Sequence, residues 1–296
     1  MAAIDTDPTR LSTQIVDKTI IMGDRGVLLA VLDGMGGAAS GDVASALGRE
    51  VLLRGVHEAT IDSLQDLAEA LGAATVQAHS AIRDRAAVDS SCSGMGTTLT
   101  AAGVLGDQAV IVQIGDSRAY VLRGGELVQV TEDQSLASEL LASGRLSPEE
   151  AANYEHSNVI LQALGVNDRV YPSITKLALC QGDVLLLCTD GLTDMVRGDT
   201  LSQTVRDGAD DLRLLAQTLT TKAKLAGGFD NISVVLARCE GSELPDARAE
   251  PPSVEPMKVA STPTAPPPVR RRLEIALLLA ALFLMLAMAG VIILLG

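Results

Sequence analysis

Residues 27–37 read VLLAVLDGMGG, an aliphatic run that ends in the carboxylate Asp33 and a glycine-rich turn. The same pattern recurs in VIVQIGDSR with Asp116, in VLLLCTDG with Asp190 and in GGFDN with Asp230. One Asp-Gly after a strand usually marks only a turn. Four carboxylates presented in this way can converge on one edge of a sheet, and hard divalent cations prefer such oxygen ligands. Together they predict a divalent metal site.

Short β-rich runs alternate with alanine-rich helical runs over residues 1–240, with no internal repeat. Helices that cover antiparallel sheets form an α+β sandwich, which is the fold class we expect. Arg123-Gly124-Gly125-Glu126 predicts a hairpin turn. The hydrophobic pattern predicts strands at Val27–Leu32, Thr97–Val104, Ala109–Ile114, Ala119–Leu122, Leu127–Val130, Val184–Cys188 and Ile232–Ala237, and helices at 42–58, 62–86 and 210–226.

Further motifs accompany the four carboxylates in chain order. With them, residues 12–240 resemble the bacterial form of the metal-dependent 2C-type Ser/Thr protein phosphatases. The resemblance implies two antiparallel β-sheets sandwiched between helices, in agreement with the pattern above. The motifs are Gly41-Asp42-Val43-Ala44-Ser45, Gly96-Thr97-Thr98-Leu99, Thr131-Glu132-Asp133-Gln134-Ser135-Leu136, Ala163-Leu164-Gly165 and Asp230-Asn231-Ile232-Ser233.

The resemblance also implies roles for individual residues. Asp33 corresponds to the carboxylate that bridges two metal ions, with the Gly34 carbonyl on the second. Asp190 and Asp230 complete the first metal site, so these two and Asp33 are the expected catalytic residues. Asp116 corresponds to a ligand of a third ion shared with Asp190. We therefore expect two or three Mn²⁺ or Mg²⁺ ions and direct hydrolysis of a phosphomonoester by a metal-activated water.

The chain departs from the family at its first motif, Arg-x-x-Asn-Glu-Asp. Ser12 stands where the family has its phosphate-binding Arg, and Val16 stands where it has a Glu ligand of the second metal. Asp17 occupies the last position of the motif. Asp17 and Asn231 are expected to contact the metal ligands without binding the metal themselves. If the motif is aligned in a shifted register, Arg10 takes the place of the phosphate-binding Arg.

Two functions follow from this pattern. The first is hydrolysis of phosphoserine and phosphothreonine on proteins, opposing a bacterial Ser/Thr kinase at the membrane. The second is a pseudophosphatase, a phosphoprotein-binding module with weak or no turnover, because the first motif lacks its Arg and Glu. Met35 occupies the place of a candidate general acid, so in the enzyme a water or another side chain would protonate the leaving group.

Composition excludes other classes of function. The formal net charge is −14 and only 2% of the residues are aromatic. Such a surface repels phosphate backbones and offers bases little to stack on, so we expect no nucleic-acid partner. The four cysteines contain no Cys-x-x-Cys pair, which argues against a zinc site or a disulfide scaffold.

The C-terminal composition predicts a membrane anchor. Eight of the eleven prolines fall within residues 241–272, which predicts an extended linker. Residues 273–296 are expected to form a transmembrane helix, since the 22 residues from Ile275 to Gly296 carry no charge. Arg270, Arg271 and Arg272 precede this span and place the catalytic domain, residues 1–240, in the cytoplasm. The expected protein is tail-anchored, with a single pass through the cytoplasmic membrane.

Overall fold

The computed structural model describes residues 2–6, 13–17, 19–20, 22–24, 26–152, 154–156, 158–246 and 250–262. Within them the chain forms thirteen strands and seven α-helices. The strands are β1 (Ala2–Thr6), β2 (Thr13–Asp17), β3 (Val27–Val31), β4 (Gly34–Met35), β5 (Gly96–Thr97), β6 (Leu99–Leu105), β7 (Gln108–Ile114), β8 (Arg118–Arg123), β9 (Glu126–Gln129), β10 (Ser173–Ala178), β11 (Val184–Cys188), β12 (Ile232–Arg238) and β13 (Val254–Pro256). The helices are α1 (Ala38–Glu58), α2 (Leu64–Val88), α3 (Leu136–Ala142), α4 (Pro148–Ala152), α5 (Asp190–Thr193), α6 (Gly198–Gly208) and α7 (Leu212–Leu225).

Two antiparallel sheets form the centre of the domain. The six-stranded sheet has the order β2-β1-β12-β11-β8-β9, and the five-stranded sheet has the order β13-β10-β7-β6-β3. One apolar cluster joins the facing surfaces of the sheets and includes Leu29, Ile111 and Leu185. Helices α1 and α2 cover the outer face of the five-stranded sheet, and α6 and α7 cover that of the six-stranded sheet. The predicted fold, two antiparallel sheets between helices, is confirmed.

Most of the predicted elements are present with shifted ends. Helix α1 begins four residues before the predicted start, and α2 and α7 lie within two residues of their predicted bounds. The predicted hairpin joins β8 to β9 through Gly124 and Gly125, both at positive φ. The predicted strand Thr97–Val104 is interrupted at Thr98, because the Thr98 N–H bonds to the Asp33 carbonyl.

The hydrophobic pattern of the sequence did not indicate the other elements. Strands β1, β2, β10 and β13 and helices α3 to α6 were not predicted. Helix α6 buries few apolar side chains, among them Leu201 and Val205, so its hydrophobic stripe is short. Strand β10 reads SITKLA, and Lys176 within it forms an ion pair with Glu255 of β13. Its apolar and polar residues alternate only weakly.

The polypeptide continues to pack against the domain beyond residue 240, where the linker was predicted to begin. Leu244 packs against the apolar cluster between the sheets. Residues 250–262, which we call the C-terminal strap, place β13 antiparallel to β10. The compact unit therefore extends to Thr262, because β13 pairs with a sheet edge that composition alone does not reveal.

Side chains fix the strap to helix α2. Val259 is buried in the α1–α2 cluster. The Glu69 carboxylate accepts the backbone N–H of Ala260 at 2.8 Å and that of Ser261 at 3.3 Å. Gly72 leaves the room, since a Cβ there would lie 2.8 Å from Val259 Cγ1 and 3.0 Å from Thr262 Cγ2.

We predict that a chain ending at Asp246 melts about 3–6 °C below a chain ending at Thr262. Burial of a valine contributes about 1.5 kcal/mol, and 1 kcal/mol shifts the Tm of a domain this size by about 2–4 °C. Gly72→Ala supplies a second test. Its Cβ would meet Val259 and Thr262 of the strap in the longer chain, but only Ile174 Cδ1, at 3.1 Å, in the shorter one, where the gain in helix propensity partly offsets the contact. It should therefore lower the Tm of the longer chain more than that of the shorter one. Equal Tm values for the two chains in a thermal melt would contradict the prediction.

The predicted transmembrane helix at 273–296 lies outside the described residues, as does the C-terminal part of the predicted linker. Among the residues that the structure does describe, no helix combines the length and the apolar character needed to cross a bilayer.

Candidate metal centre

The loop that carries Asp33 is held from both sides by Thr98. The Asp33 N–H donates to Thr98 Oγ1 at 3.0 Å, and the Thr98 N–H donates to the Asp33 carbonyl at 2.8 Å. Gly34 follows and approaches the backbone of α1 so closely that a Cβ on it would lie 2.1 Å from the Gly41 carbonyl oxygen. This explains why the turn needs glycine and how Asp33 is fixed at the end of β3.

The loops that carry Asp190 and Asp230 are tied together by Thr189. Its hydroxyl donates to the Asn231 carbonyl at 3.2 Å and accepts the Ser233 N–H at 3.1 Å. Asp190 begins α5 directly after β11, and Asp230 stands two residues before β12. A Cβ on Gly191 would lie 2.1 Å from the Asn231 carbonyl oxygen, so the two loops are in close backbone contact.

Asp116 follows β7 and is linked to the Asp33 loop through buried hydroxyl groups. Ser117 Oγ and Thr98 Oγ1 lie 2.8 Å apart. Gln134 holds the other side of the turn, since its Oε1 accepts the Gly115 N–H at 2.9 Å. Thr98 therefore contacts two of the loops that bear candidate ligands.

The carboxyl groups influence one another electrostatically. Burial raises the pKa of Asp33 to about 9, and the charge of Asp190 adds to the rise, followed by those of Asp230 and Asp116. Burial also raises the pKa of Asp190, which accepts a hydrogen bond from the protonated Asp33. Burial raises the pKa of Asp116 to about 7, again with a contribution from Asp190. Without a cation, the protein avoids repulsion by retaining protons.

The donor set fits a divalent cation. Asp190 Oδ1 is buried without a hydrogen-bond partner among the described residues, as an oxygen reserved for a ligand would be. Oxygen donors of this kind suit Mg²⁺ and Mn²⁺. Within the described ranges no group of three or more acidic, histidine or cysteine side chains is arranged to hold a metal ion as it stands. The candidate site is the pair Asp33 and Asp190, with the charges of Asp116 and Asp230 also acting on Asp33, and water would complete the coordination.

Among the predicted site residues, the charges of Asp190, Asp230 and Asp116 act on Asp33, and Gly34 follows Asp33 in the same turn. Asn231 contributes its carbonyl to the Thr189 contact. Asp17 ends β2 in the six-stranded sheet, and Val16 precedes it there. Arg10 and Ser12 lie outside the described residues, so the proposed phosphate contact of Arg10 stays a prediction.

Sequence reasoning missed one wall of a cavity beside the centre, the wall formed by Arg118 and Tyr120. The cavity has a volume of ≈ 330 Å³ and lies between α3, α4 and the Asp116 and Asp190 loops. Arg118 lines it and pairs with Asp133 through contacts of 2.6 to 3.0 Å. Tyr120 also lines it and accepts a hydrogen bond from Arg118 at 3.3 Å. Both lie in or beside quoted motifs, but only the fold shows that they form one wall.

We predict that Mn²⁺ binding releases protons and strengthens as the pH rises from 6 to 8. The pKa of Asp33 lies above its ordinary value of 3.8, so between about pH 4 and 9 the metal-free folded state holds a proton that the unfolded state has lost. Metal-free stability should therefore fall with rising pH, and a cation must displace about one proton from Asp33 near pH 7 and part of a second from Asp116. Calorimetric titrations in two buffers of different ionisation enthalpy measure this release. No release, or a release that is undiminished in Asp33→Asn, would contradict it.

These features together define a class: an αββα sandwich in which acidic residues follow strands β3, β7 and β11 and precede β12, and could hold divalent cations. Residues 17–227 match the family model described as Protein phosphatase 2C, and the chain belongs to this family. It therefore contains a Ser/Thr protein phosphatase domain of the 2C type.

Similar proteins support this assignment. The chain is 39% identical over 210 residues to the serine/threonine protein phosphatase PstP of Mycobacterium tuberculosis, covering 71% of this chain and 40% of that protein. It is 39% identical over 214 residues to the serine/threonine phosphatase stp of Listeria monocytogenes, covering 72% and 84%. A crystal structure of the PstP catalytic domain with two manganese ions is similar, with a TM-score of 0.64, 35% identity and coverage of 75% and 94%. The match thus spans less than half the length of the M. tuberculosis relative.

Proposed function

We propose that this protein removes phosphate from phosphoserine and phosphothreonine in other proteins, with Mn²⁺ or Mg²⁺ as cofactor. The observation that carries the proposal is the pair Asp33 and Asp190, in which Asp190 Oδ1 is buried without a partner among the described residues and the charges of Asp116 and Asp230 also act on Asp33. Membership of the phosphatase family agrees with it. Two or three ions per domain are expected.

The residues of the chain would hold and orient the reactants. Asp33 and Asp190 would hold ions between them, and Asp230 and Asp116 would complete flanking positions. Ions bound there would lower the pKa of a bound water and neutralise charge on the phosphate oxygens. The cavity beside Asp116 and Asp190 offers room for residues next to the phosphorylated side chain. Met35 has no proton to donate, so a water would protonate the leaving alkoxide.

Phosphoprotein binding without turnover is the weaker alternative. It was suggested by Ser12 and Val16, yet the four carboxylates are all retained, and similar proteins carry the names of phosphatases. Fewer protein oxygens on the second ion leave more of its positions to water. The combined change Ser12→Arg and Val16→Glu separates the two functions. It should change an active enzyme little, whereas a crippled one should gain large activity.

We further propose that the protein works at the inner face of the cytoplasmic membrane, opposite a Ser/Thr kinase. Support comes from the uncharged run from Ile275 to Gly296 and the three arginines before it. Fractionation of cells that express the full chain, with and without residues 273–296, tests the membrane part. Recovery of both forms in the soluble fraction would contradict it.

The activity is tested with the full chain in detergent, on a phosphothreonine peptide and on p-nitrophenyl phosphate, over a wide range of Mn²⁺ concentrations. We expect phosphate release that requires the metal and disappears with excess chelator. Folding is checked by a thermal melt on the same samples. Folded protein that releases no phosphate at any Mn²⁺ concentration would favour the binding module.

A further inference from the structure

The flap, residues 135–160, is attached to the domain at two points. At its beginning, Gln134 donates its N–H to the Gly115 carbonyl at 3.0 Å, directly before Asp116. At its end, the Leu161 N–H bonds to the Gln134 carbonyl at 2.8 Å. Residues 161–168, which we call the flap root, then cross to helix α2. The flap walls the cavity beside the metal centre, and the flap root follows directly on the attached end of the flap.

Two side chains one turn apart on α2 hold the flap root. His79 Nδ1 accepts the Gly165 N–H at 3.1 Å. Arg83 donates to the Asn167 carbonyl at 2.7 Å and to the Asp168 carboxylate at 3.1 Å. Gly165 has a φ of +88°, and a Cβ on it would lie 2.3 Å from the side chain of Ile82, so the loop packs tightly on the helix.

A histidine is an unusual residue at this buried position on α2. The side chain is only 5% exposed, and its Nε2 makes no hydrogen bond of ordinary geometry to any described residue. Because Nδ1 accepts the Gly165 N–H at 3.1 Å, the proton of the neutral ring is on Nε2. Burial lowers the pKa of His79, and a backbone hydrogen bond with Asp168 opposes this effect. Both contacts of the ring are therefore with the flap root.

The flap root is joined to the bridging candidate ligand by a short path. Next to Gly165, Leu164 exchanges two backbone hydrogen bonds with Thr97, at 3.1 and 2.9 Å. The following residue, Thr98, holds both the N–H and the carbonyl of Asp33. A displacement of Gly165 is therefore transmitted through one strand bridge to Asp33.

We propose that His79 is a positioning residue, which by accepting the Gly165 N–H fixes the flap root and, through Leu164 and Thr97, the Asp33 loop. This inference rests on the proposed function, because it assigns His79 to the assembly of the metal and substrate sites. It adds to the centre a residue that touches neither ion nor phosphate.

The test compares His79→Leu with His79→Asn in the full chain in detergent. Asn can place its Oδ1 where Nδ1 accepts the Gly165 N–H, whereas Leu has no acceptor. We expect His79→Leu to weaken Mn²⁺ binding in calorimetry by about 10-fold, at the lower end of the effect of lost support behind metal ligands. Its KM for the phosphothreonine peptide should rise more than its KM for p-nitrophenyl phosphate, which does not reach the flap. His79→Asn should behave like the unchanged chain.

Three controls keep the outcomes distinct. His57→Leu makes the same chemical change at an exposed position on α1 and should leave Mn²⁺ affinity unchanged. Thermal melts show whether each variant is folded at the temperature of titration. Two results would overturn the positioning role: a folded His79→Leu variant with unchanged Mn²⁺ affinity, or a His79→Asn variant whose Mn²⁺ affinity falls as far as that of His79→Leu.

Mn²⁺ binding needs no turnover, so it tests the role of His79 even if the chain proves inactive. Absence of Mn²⁺ binding by the unchanged chain would overturn both proposals.

Discussion

Replacing Asp190 with asparagine is expected to reduce Mn²⁺-dependent release of phosphate from a phosphothreonine peptide by about 10³-fold. Among the neighbouring charges, that of Asp190 raises the pKa of Asp33 most, and Asp190 Oδ1 is buried without a partner in the described residues. Asparagine keeps the shape and removes the charge that would hold the cation. A metal ion supplies several kcal/mol of transition-state stabilisation, and each 1.36 kcal/mol is tenfold in rate.

The same substitution should stabilise the metal-free domain. It removes a neighbouring charge that raises the pKa of Asp33, so less repulsion opposes folding near neutral pH. A higher Tm without metal, with a smaller shift on adding Mn²⁺, would separate loss of the site from loss of the fold. Asp207→Asn, at an exposed position on α6, is the matched control and should change neither quantity. Retention of more than a tenth of the activity in Asp190→Asn would count against the assigned centre.

Replacing Gly191 with alanine is expected to lower activity by about 10²-fold while all four carboxylates are kept. The new Cβ would lie 2.1 Å from the Asn231 carbonyl oxygen, a distance that forces the two loops apart. Asp190 and Asp230 precede these contact points directly, so the separation of their carboxylates must change. A displacement of about 1 Å at a catalytic group costs on the order of 10²-fold in rate.

The control for this steric effect is Gly241→Ala, because a Cβ at Gly241 meets no atom within 4 Å. It should retain full activity and Mn²⁺ affinity. For Gly191→Ala, titration with Mn²⁺ should show weaker binding in protein that a melt shows to be folded. Affinity and turnover both equal to those of the unchanged chain would mean that the loops are not held at the distance seen in the structure.

Much of the centre could be predicted from the sequence because its signals are local. An aliphatic run followed by Asp-Gly or Asp-Ser gives both the strand and the carboxylate at its end, as at Asp33 and Asp190. The hairpin at Gly124-Gly125 is local as well, since a tight turn depends on the residues that form it. Helix α7 was predicted for the same reason, because its apolar stripe lies within one segment.

What the sequence by itself determined is therefore the αββα fold class and the residue types of the acidic centre. The tertiary structure alone decided which residues support that centre. Thr98 stands in a quoted motif, but the sequence does not show that it holds the Asp33 loop. His79 and Gly165 are likewise far apart in the chain, and nothing in the residues around His79 marks their contact. The strap was read as linker because its partners, strand β10 and helix α2, precede it in the chain by many residues. Composition and periodicity report the forces within a segment, whereas hydrogen bonds and packing between segments exist only once the chain has folded.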